Sequence, residues 1–348
     1  MDKINPVLIG AVVKGRQMIK VNLPRRRLLQ LAAGAVALPA VSRVAWAQSY
    51  PTRPIRLVIP FPPGGVYDAT GRPWAEKVKP FLGTIVIENL GGAGGSLGTA
   101  AVARAQPDGY AILLGGTSGL VINPLASTKL SYDPIKDFEA IAVLGYNPAV
   151  IGVHPAQPTK SLMELVEYAR TNPGKLSYGT SGVGTINHLV GEQLKLAASL
   201  DITHVPYRGA GPALTDLISG HIPLLIQSAT GQAIELHKTG KLRILAVTGG
   251  TRLPEAPDVP TVAQAGMPEL SARQFFGLFA PNGTPKTIIE QIAQATRNAM
   301  ADKELQRLFI ASGFEPDLDS SPEKARRLVQ AEIVKWVPVI KAIGLKVD

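Results

Sequence analysis

Ile55-Arg56-Leu57-Val58-Ile59-Pro60-Phe61-Pro62-Pro63-Gly64-Gly65-Val66-Tyr67-Asp68 is the stretch on which the fold turns. Its apolar, β-branched start reads as a buried strand, and Tyr67 to Lys79 beyond it carries apolar residues at helical spacing. Between the two, prolines stiffen the chain and paired glycines let the backbone approach a ligand. The helix start presents free N–H groups, so the loop suits an anion. The plain alternative is a tight strand-to-helix turn with Asp68 as an ordinary first-turn residue.

The same alternation continues along the chain. Strand-like runs recur at 84–89, 110–115, 140–153, 176–180, 202–207, 224–228, 242–248 and 275–280, and helical patterns fill most of the gaps, as at 162–170, 185–196 and 213–219. This predicts an α/β protein with mostly parallel sheets. Ser161 with Glu164 reads as a capping box, and Thr284-Pro285 and Ser321-Pro322 each place a cap residue before a proline at the first helical position. The strand count is high for one sheet, yet no linker divides the chain. Two domains joined by two crossovers satisfy both facts, with Tyr146-Asn147-Pro148 and Thr248-Gly249-Gly250 as the crossing points. The expected division is 50–147 with 250–348 as a discontinuous domain 1, and 148–249 as domain 2.

Ahead of this lies Arg25-Arg26-Arg27-Leu28-Leu29-Gln30, an apolar run from Leu31 to Val44, and Ala45-Trp46-Ala47. Basic, apolar and A-x-A regions in that order predict an export signal over 1–47, of twin-arginine type, and a periplasmic mature protein beginning near Gln48. About 14 residues broken by Pro39 fall short of the roughly 20 that a spanning helix needs, so no membrane anchor is expected.

The formal charge of +10 suggests nucleic acid, but of 36 Lys/Arg and 26 Asp/Glu, eight and one fall in 1–47. The remainder, 28 against 25, is close to +3, and no nucleic-acid partner is expected. There is no cysteine, which excludes disulfides, thiolate metal sites, a cysteine nucleophile and a lipidated N-terminal cysteine.

Two further loops invite chemistry. Gly91-Gly92-Ala93-Gly94-Gly95-Ser96-Leu97-Gly98 lacks both the dinucleotide frame and the P-loop lysine; its G-x-S-x-G is a formal nucleophile elbow, with Asp216 and His237 following in hydrolase order. An exported hydrolase using Ser96 is therefore the alternative function. Gly179-Thr180-Ser181-Gly182-Val183-Gly184-Thr185-Ile186-Asn187-His188 closes a strand and opens a helix, a second set of backbone donors and hydroxyls at a positive helix end. His188 and Glu192 lie one turn apart, but without H-E-x-x-H the histidine reads as a packing or hydrogen-bonding residue, and no metal or cofactor is expected.

Taken together, Tyr50-Pro51-Thr52-Arg53-Pro54-Ile55, Pro60 to Gly65 with Asp68, Gly92-Ala93-Gly94-Gly95, Pro107-Asp108-Gly109-Tyr110, Tyr132-Asp133-Pro134 with Asp137-Phe138, His204-Val205-Pro206-Tyr207, Pro257 to Thr261 and Gly277 to Pro281 resemble the Bug family, the extracytoplasmic solute receptors of tripartite tricarboxylate transporters. The resemblance runs from about Tyr50 to the C-terminus. It implies a Venus-flytrap fold with a small organic carboxylate held in the cleft by backbone amides and ordered waters, and delivery to membrane permease subunits. The expected role is binding by a monomer, not catalysis; a receptor signalling to a membrane sensor is a further alternative. On this pattern Pro63, Gly64, Gly65, Val66 and Asp68 form one lip with Thr117 and Ser118, faced by Ser181, Gly184, Thr185 and His188. The chain departs from the family where a common Phe-Asp-Ser reads Ile226-Gln227-Ser228 and a Trp-Phe-Gly reads Phe275-Phe276-Gly277. A neutral Gln227 at the ligand predicts plain di- or aromatic carboxylates in preference to amino acids, because an ammonium would lose its charge partner.

Overall fold

Strand β1 (Ile55–Ile59) is buried at every residue except Arg56, as its apolar run requires. Val58 packs with Leu113 on one side, while Leu57 and Ile59 pack with Trp74 and Val78 on the other. In the computed structural model the described residues are 50–347; the expected export signal, 1–47, lies outside them.

After β1 come α1 (Val66–Leu82), β2 (Ile85–Asn89), α2 (Ser96–Ala103) and β3 (Ala111–Gly116), then a π-helical turn (Ser118–Ile122) running into the short α3 (Asn123–Ala126). The chain continues through β4 (Phe138–Val153), α4 (Leu162–Thr171), β5 (Leu176–Thr180), α5 (Ile186–Ala198), β6 (Ile202–Pro206), α6 (Ala210–Ile218), β7 (Leu224–Ser228), α7 (Gly231–Lys238) and β8 (Arg243–Val247). It ends with β9 (Arg273–Pro281), α8 (Lys286–Met300), α9 (Lys303–Ala311), β10 (Glu315–Pro316) and α10 (Pro322–Ile343).

The strands form one ten-stranded sheet, ordered β2-β1-β3-β9-β4-β7-β5-β6, with β8 and β10 also on β4. Two parallel groups, β2-β1-β3 and β7-β5-β6, flank the antiparallel pair β9 and β4. The expectation of mostly parallel pairing therefore holds for the two ends and fails in the centre. Tyr146-Asn147-Pro148 does not interrupt a strand: it lies inside β4, at the point where β4 changes partners. Pro148 is the last residue opposite β9 and Ala149 the first opposite β7. Thr248, just past β8, fastens this same point, its Oγ1 accepting from Ala149 N at 2.8 Å and donating to Ala272 O at 2.6 Å.

The helix caps follow the sequence with one exception. Ser161 accepts from Glu164 N while the Glu164 carboxylate accepts from Lys160 N, and Ser321 accepts from Lys324 N with Pro322 at the first helical position. At α8 the helix begins at Lys286, one residue later than expected, and the Thr284 hydroxyl donates back to Pro281 O.

Candidate functional site

The loop after β1 is shaped by one carboxylate. Asp68 Oδ2 accepts from Gly64 N at 3.2 Å and from Arg72 Nε at 2.8 Å, and its Oδ1 accepts from Asn89 Nδ2 at 3.1 Å. Asn89 also donates to Phe61 O, tying the loop to the end of β2. Burial alone would raise the Asp68 pKa, but hydrogen bonds from Arg72, Asn89 and Gly64 outweigh it and hold the carboxyl below its ordinary value. Gly64 sits at φ +86°, where a side chain would be strained. Because Gly65 precedes α1 and no side chain caps that helix, its first N–H groups are left to whatever occupies the space in front of them.

The loop after β5 is built differently. Thr185 is a true cap: its Oγ1 accepts from His188 N at 3.3 Å and donates to Gly182 O at 2.7 Å. Asn187 Nδ2 donates to Ser181 Oγ at 3.0 Å, and Gly184 N donates to His188 Nδ1 at 3.4 Å, which assigns that nitrogen as an acceptor. Behind the loop the His188 and His204 rings stack at 4.0 Å between centroids, with Tyr178 on the far face of His204 and Thr180 Oγ1 2.7 Å from His204 Nε2. Burial lowers both imidazole pKa values, that of His204 to about 3 with the neighbouring His188 adding to the shift, while Glu192 opposes it in each case. Both rings are therefore neutral near pH 7. A third helix start, at α6, follows Gly209 at φ +122° and also lacks a side-chain cap.

These three starts converge. Gly65 and Val66 of α1, Thr185 before α5, and Gly209 and Ala210 at α6 all line one inner chamber of about 30 Å³, together with Ser118, Ser181 and Tyr67. Its floor carries Ser228 and Gln274, which are hydrogen-bonded to each other. Among the described residues no charged side chain lines it. Two buried polar atoms on its wall, the Tyr67 hydroxyl and Asn187 Oδ1, have no hydrogen-bond partner among the described residues, and burial raises the pKa of the Tyr67 phenol. Phe61, Pro62, Ser181 and Gly209 separate the chamber from an outer cleft of about 590 Å³ that also touches Leu97, Val183, Tyr207 and Arg208.

Of the residues expected at the site, Gly65, Val66, Ser118, Ser181 and Thr185 line the chamber. Pro63, Gly64, Asp68, Thr117, Gly184, His188 and Gln227 do not. Asp68 and His188 hold the two loops from behind. Thr117 Oγ1 accepts from Phe275 N, joining β3 to β9, while Gln227 is buried at the end of β7 with its Oε1 unpaired. Tyr67, Asn187, Ala210, Ser228 and Gln274 also line it and are not among the residues expected at the site. Ser228 and Gln274 meet because Ala149 and Asn147 of β4 place their strands on either side of it, a long-range pairing with no local signal.

Ser96 starts α2, and its side chain hydrogen-bonds to Tyr132. Asp216 is engaged by Tyr207 and His221, and His237 by Asp258, so neither expected partner is joined to Ser96. Among the described residues no group of three or more His, Asp or Glu could hold a metal ion, and no helix is long and apolar enough to cross a membrane.

Comparison with known proteins agrees with this geometry. Residues 72–345 match the pattern of the tripartite tricarboxylate transporter family receptor. Protein BugT of Bordetella pertussis is 32% identical over 322 residues, 92% of this chain and 98% of BugT. Among solved structures, Rpa4515 of Rhodopseudomonas palustris with adipate superposes with a TM-score of 0.81 at 33% identity, covering 85% of this chain and 99% of that one. MatC of the same organism with bound malate gives 0.79 at 31% identity, covering 84% and 100%. The fold is that of the periplasmic binding proteins, and the chain belongs to the tripartite tricarboxylate transporter receptor family, that of the Bug proteins.

Proposed function

We propose that this protein is a periplasmic receptor that captures a small organic carboxylate and passes it to the membrane permease subunits of a tripartite tricarboxylate-type transporter. The observation that carries the reading is the convergence of three helix starts, two of them without side-chain caps, on a chamber lined by neutral donors. Helix N-termini favour negative charge, and a carboxylate there needs no arginine. The unpaired Tyr67 hydroxyl supplies one further donor, directly or through an ordered water. Adipate and malate in two family members support the ligand class, and the signal-like 1–47 supports export.

The division into 50–147 with 250–348 and 148–249 belongs to the same reading. The change of β4 partners at Pro148 and Ala149, fastened by Thr248, puts both crossings side by side, where a hinge needs them. Binding rather than hydrolysis is supported by the scattered positions of Ser96, Asp216 and His237.

Among the described residues no acidic side chain lines either space to pair with a ligand ammonium. A thermal-shift panel of mono-, di- and aromatic carboxylates, with aspartate and glutamate as amine-bearing controls, tests the reading. Stabilisation by amine-free acids without turnover is expected; a panel without any shift, or tight binding of the amino acids, contradicts it.

A further inference from the structure

The chamber and the cleft adjoin. They share Phe61, Pro62 and Gly209, and about 30 Å³ holds little more than a carboxylate head. The body of any larger acid must lie in the outer cleft, against Phe61, Pro62, Leu97 and Val183, the last two exposed to solvent.

Arg208 is the only charged side chain lining either space among the described residues. It stands on the loop between β6 and α6, next to the helix start at Ala210, and among the described residues its guanidinium has no hydrogen bond or ion pair. Its neighbours are committed: the Tyr207 hydroxyl donates to Asp216 at 2.6 Å, and elsewhere in the 148–249 segment Lys195 is held by Glu192 and Arg243 by carbonyls of Pro155, Gln157 and Thr159. A free, planar, five-donor cation beside an apolar wall fits a second carboxylate, which it can take in a bidentate grip.

We propose that Arg208 is the specificity-determining residue of this site, selecting acids with a second anionic group at the far end of an apolar body over their singly charged counterparts. The inference rests on the carboxylate-receptor reading: the chamber takes the first carboxylate, and Arg208 the second.

Calorimetry with matched probes tests it: adipate against hexanoate, succinate against butyrate, and terephthalate against 4-methylbenzoate, on the wild type, Arg208→Gln and Arg208→Lys. The wild type should prefer the diacid of at least one pair by about tenfold, the contribution of one charge-assisted contact. Arg208→Gln should erase that preference by weakening the diacid alone, with the monoacid unchanged within about twofold. Arg208→Lys should keep part of it, and added salt should shrink it. Binding of both acids without preference, or equal loss of both in Arg208→Gln, overturns the role of Arg208 while leaving the receptor reading intact. Failure of the wild type to bind any of the six acids overturns the receptor reading itself.

Discussion

The Ser118 hydroxyl accepts a hydrogen bond from the Ile186 N–H at 3.3 Å, tying the loop after β3 to the start of α5 across the inner chamber. The approach is close nearby as well. A Cβ added to Gly184 would lie 1.9 Å from Asn123 Oδ1, and Gly184 has φ +77°, so only glycine fits.

Loss of either contact should loosen closure. Ser118→Ala removes one neutral hydrogen bond, about 1 kcal/mol, and should weaken carboxylate binding with little change in the fold. Gly184→Ala should act more strongly, because it prevents the approach altogether. Small-angle scattering should show both variants expanded relative to the wild type at saturating adipate, Gly184→Ala the more so. An unchanged radius of gyration in Gly184→Ala would show that this contact does not govern closure.

Asp68 makes the loop after β1 sensitive to acid. Its folded pKa lies below the ordinary 3.8, so its contribution to stability is fully present above that value and is lost as pH falls through the folded pKa. Asp68→Asn, which keeps the shape but weakens the bonds to Arg72 and Gly64, should cost about 1–3 kcal/mol at pH 7. The gap between variant and wild type should narrow below pH 4 in urea melts. A constant gap from pH 7 to 3 would mean that charge is not what Asp68 contributes.

The stacked histidines act in a higher window. Both folded pKa values lie below the ordinary 6.5, so the unfolded chain binds more protons than the folded one as pH falls below that value. Stability from neutral burial is complete above about 6.5 and declines on acidification towards the folded values. Glu192 and Lys195 face the pair and partly offset each other. Wild type should lose melting temperature between pH 7 and 5 more steeply than His204→Gln; parallel profiles would exclude the pair as the source.

Gln227 is a stability position on this geometry. Gln227→Met removes a buried, unpaired carbonyl oxygen, so stability should stay level or rise by about 1 kcal/mol, with adipate affinity unchanged. A marked loss of affinity would restore Gln227 to the ligand.

Much of the architecture is legible from short-range pattern. The loops at 61–65 and 181–185 announce themselves because turn residues, proline with glycine in the first and glycine in the second, stand between an apolar run and a helical period, and each lies at the carboxyl end of a strand. Strand direction is not local: β4 and β9 look like the parallel strands in composition, and only their pairing makes them antiparallel. The same holds for the chamber floor, where Gln274 and Ser228 are 46 residues apart and are joined through β4. Asp68 is visible as a residue but not as a fastener, since its partner Asn89 arrives on the next strand, 21 residues later.

The central claim, that a carboxylate sits before the uncapped start of α1, is tested most directly at Gly65. A Cβ there meets nothing within 4 Å, and the residue has an ordinary backbone conformation, so Gly65→Leu should fold with an unchanged melting temperature while filling the space in front of the helix. Calorimetric titration with adipate and malate should give saturable one-to-one binding to the wild type for at least one of them, and a loss of about 100-fold or more in Gly65→Leu. Wild-type affinity in a folded Gly65→Leu would place the ligand elsewhere and contradict the account.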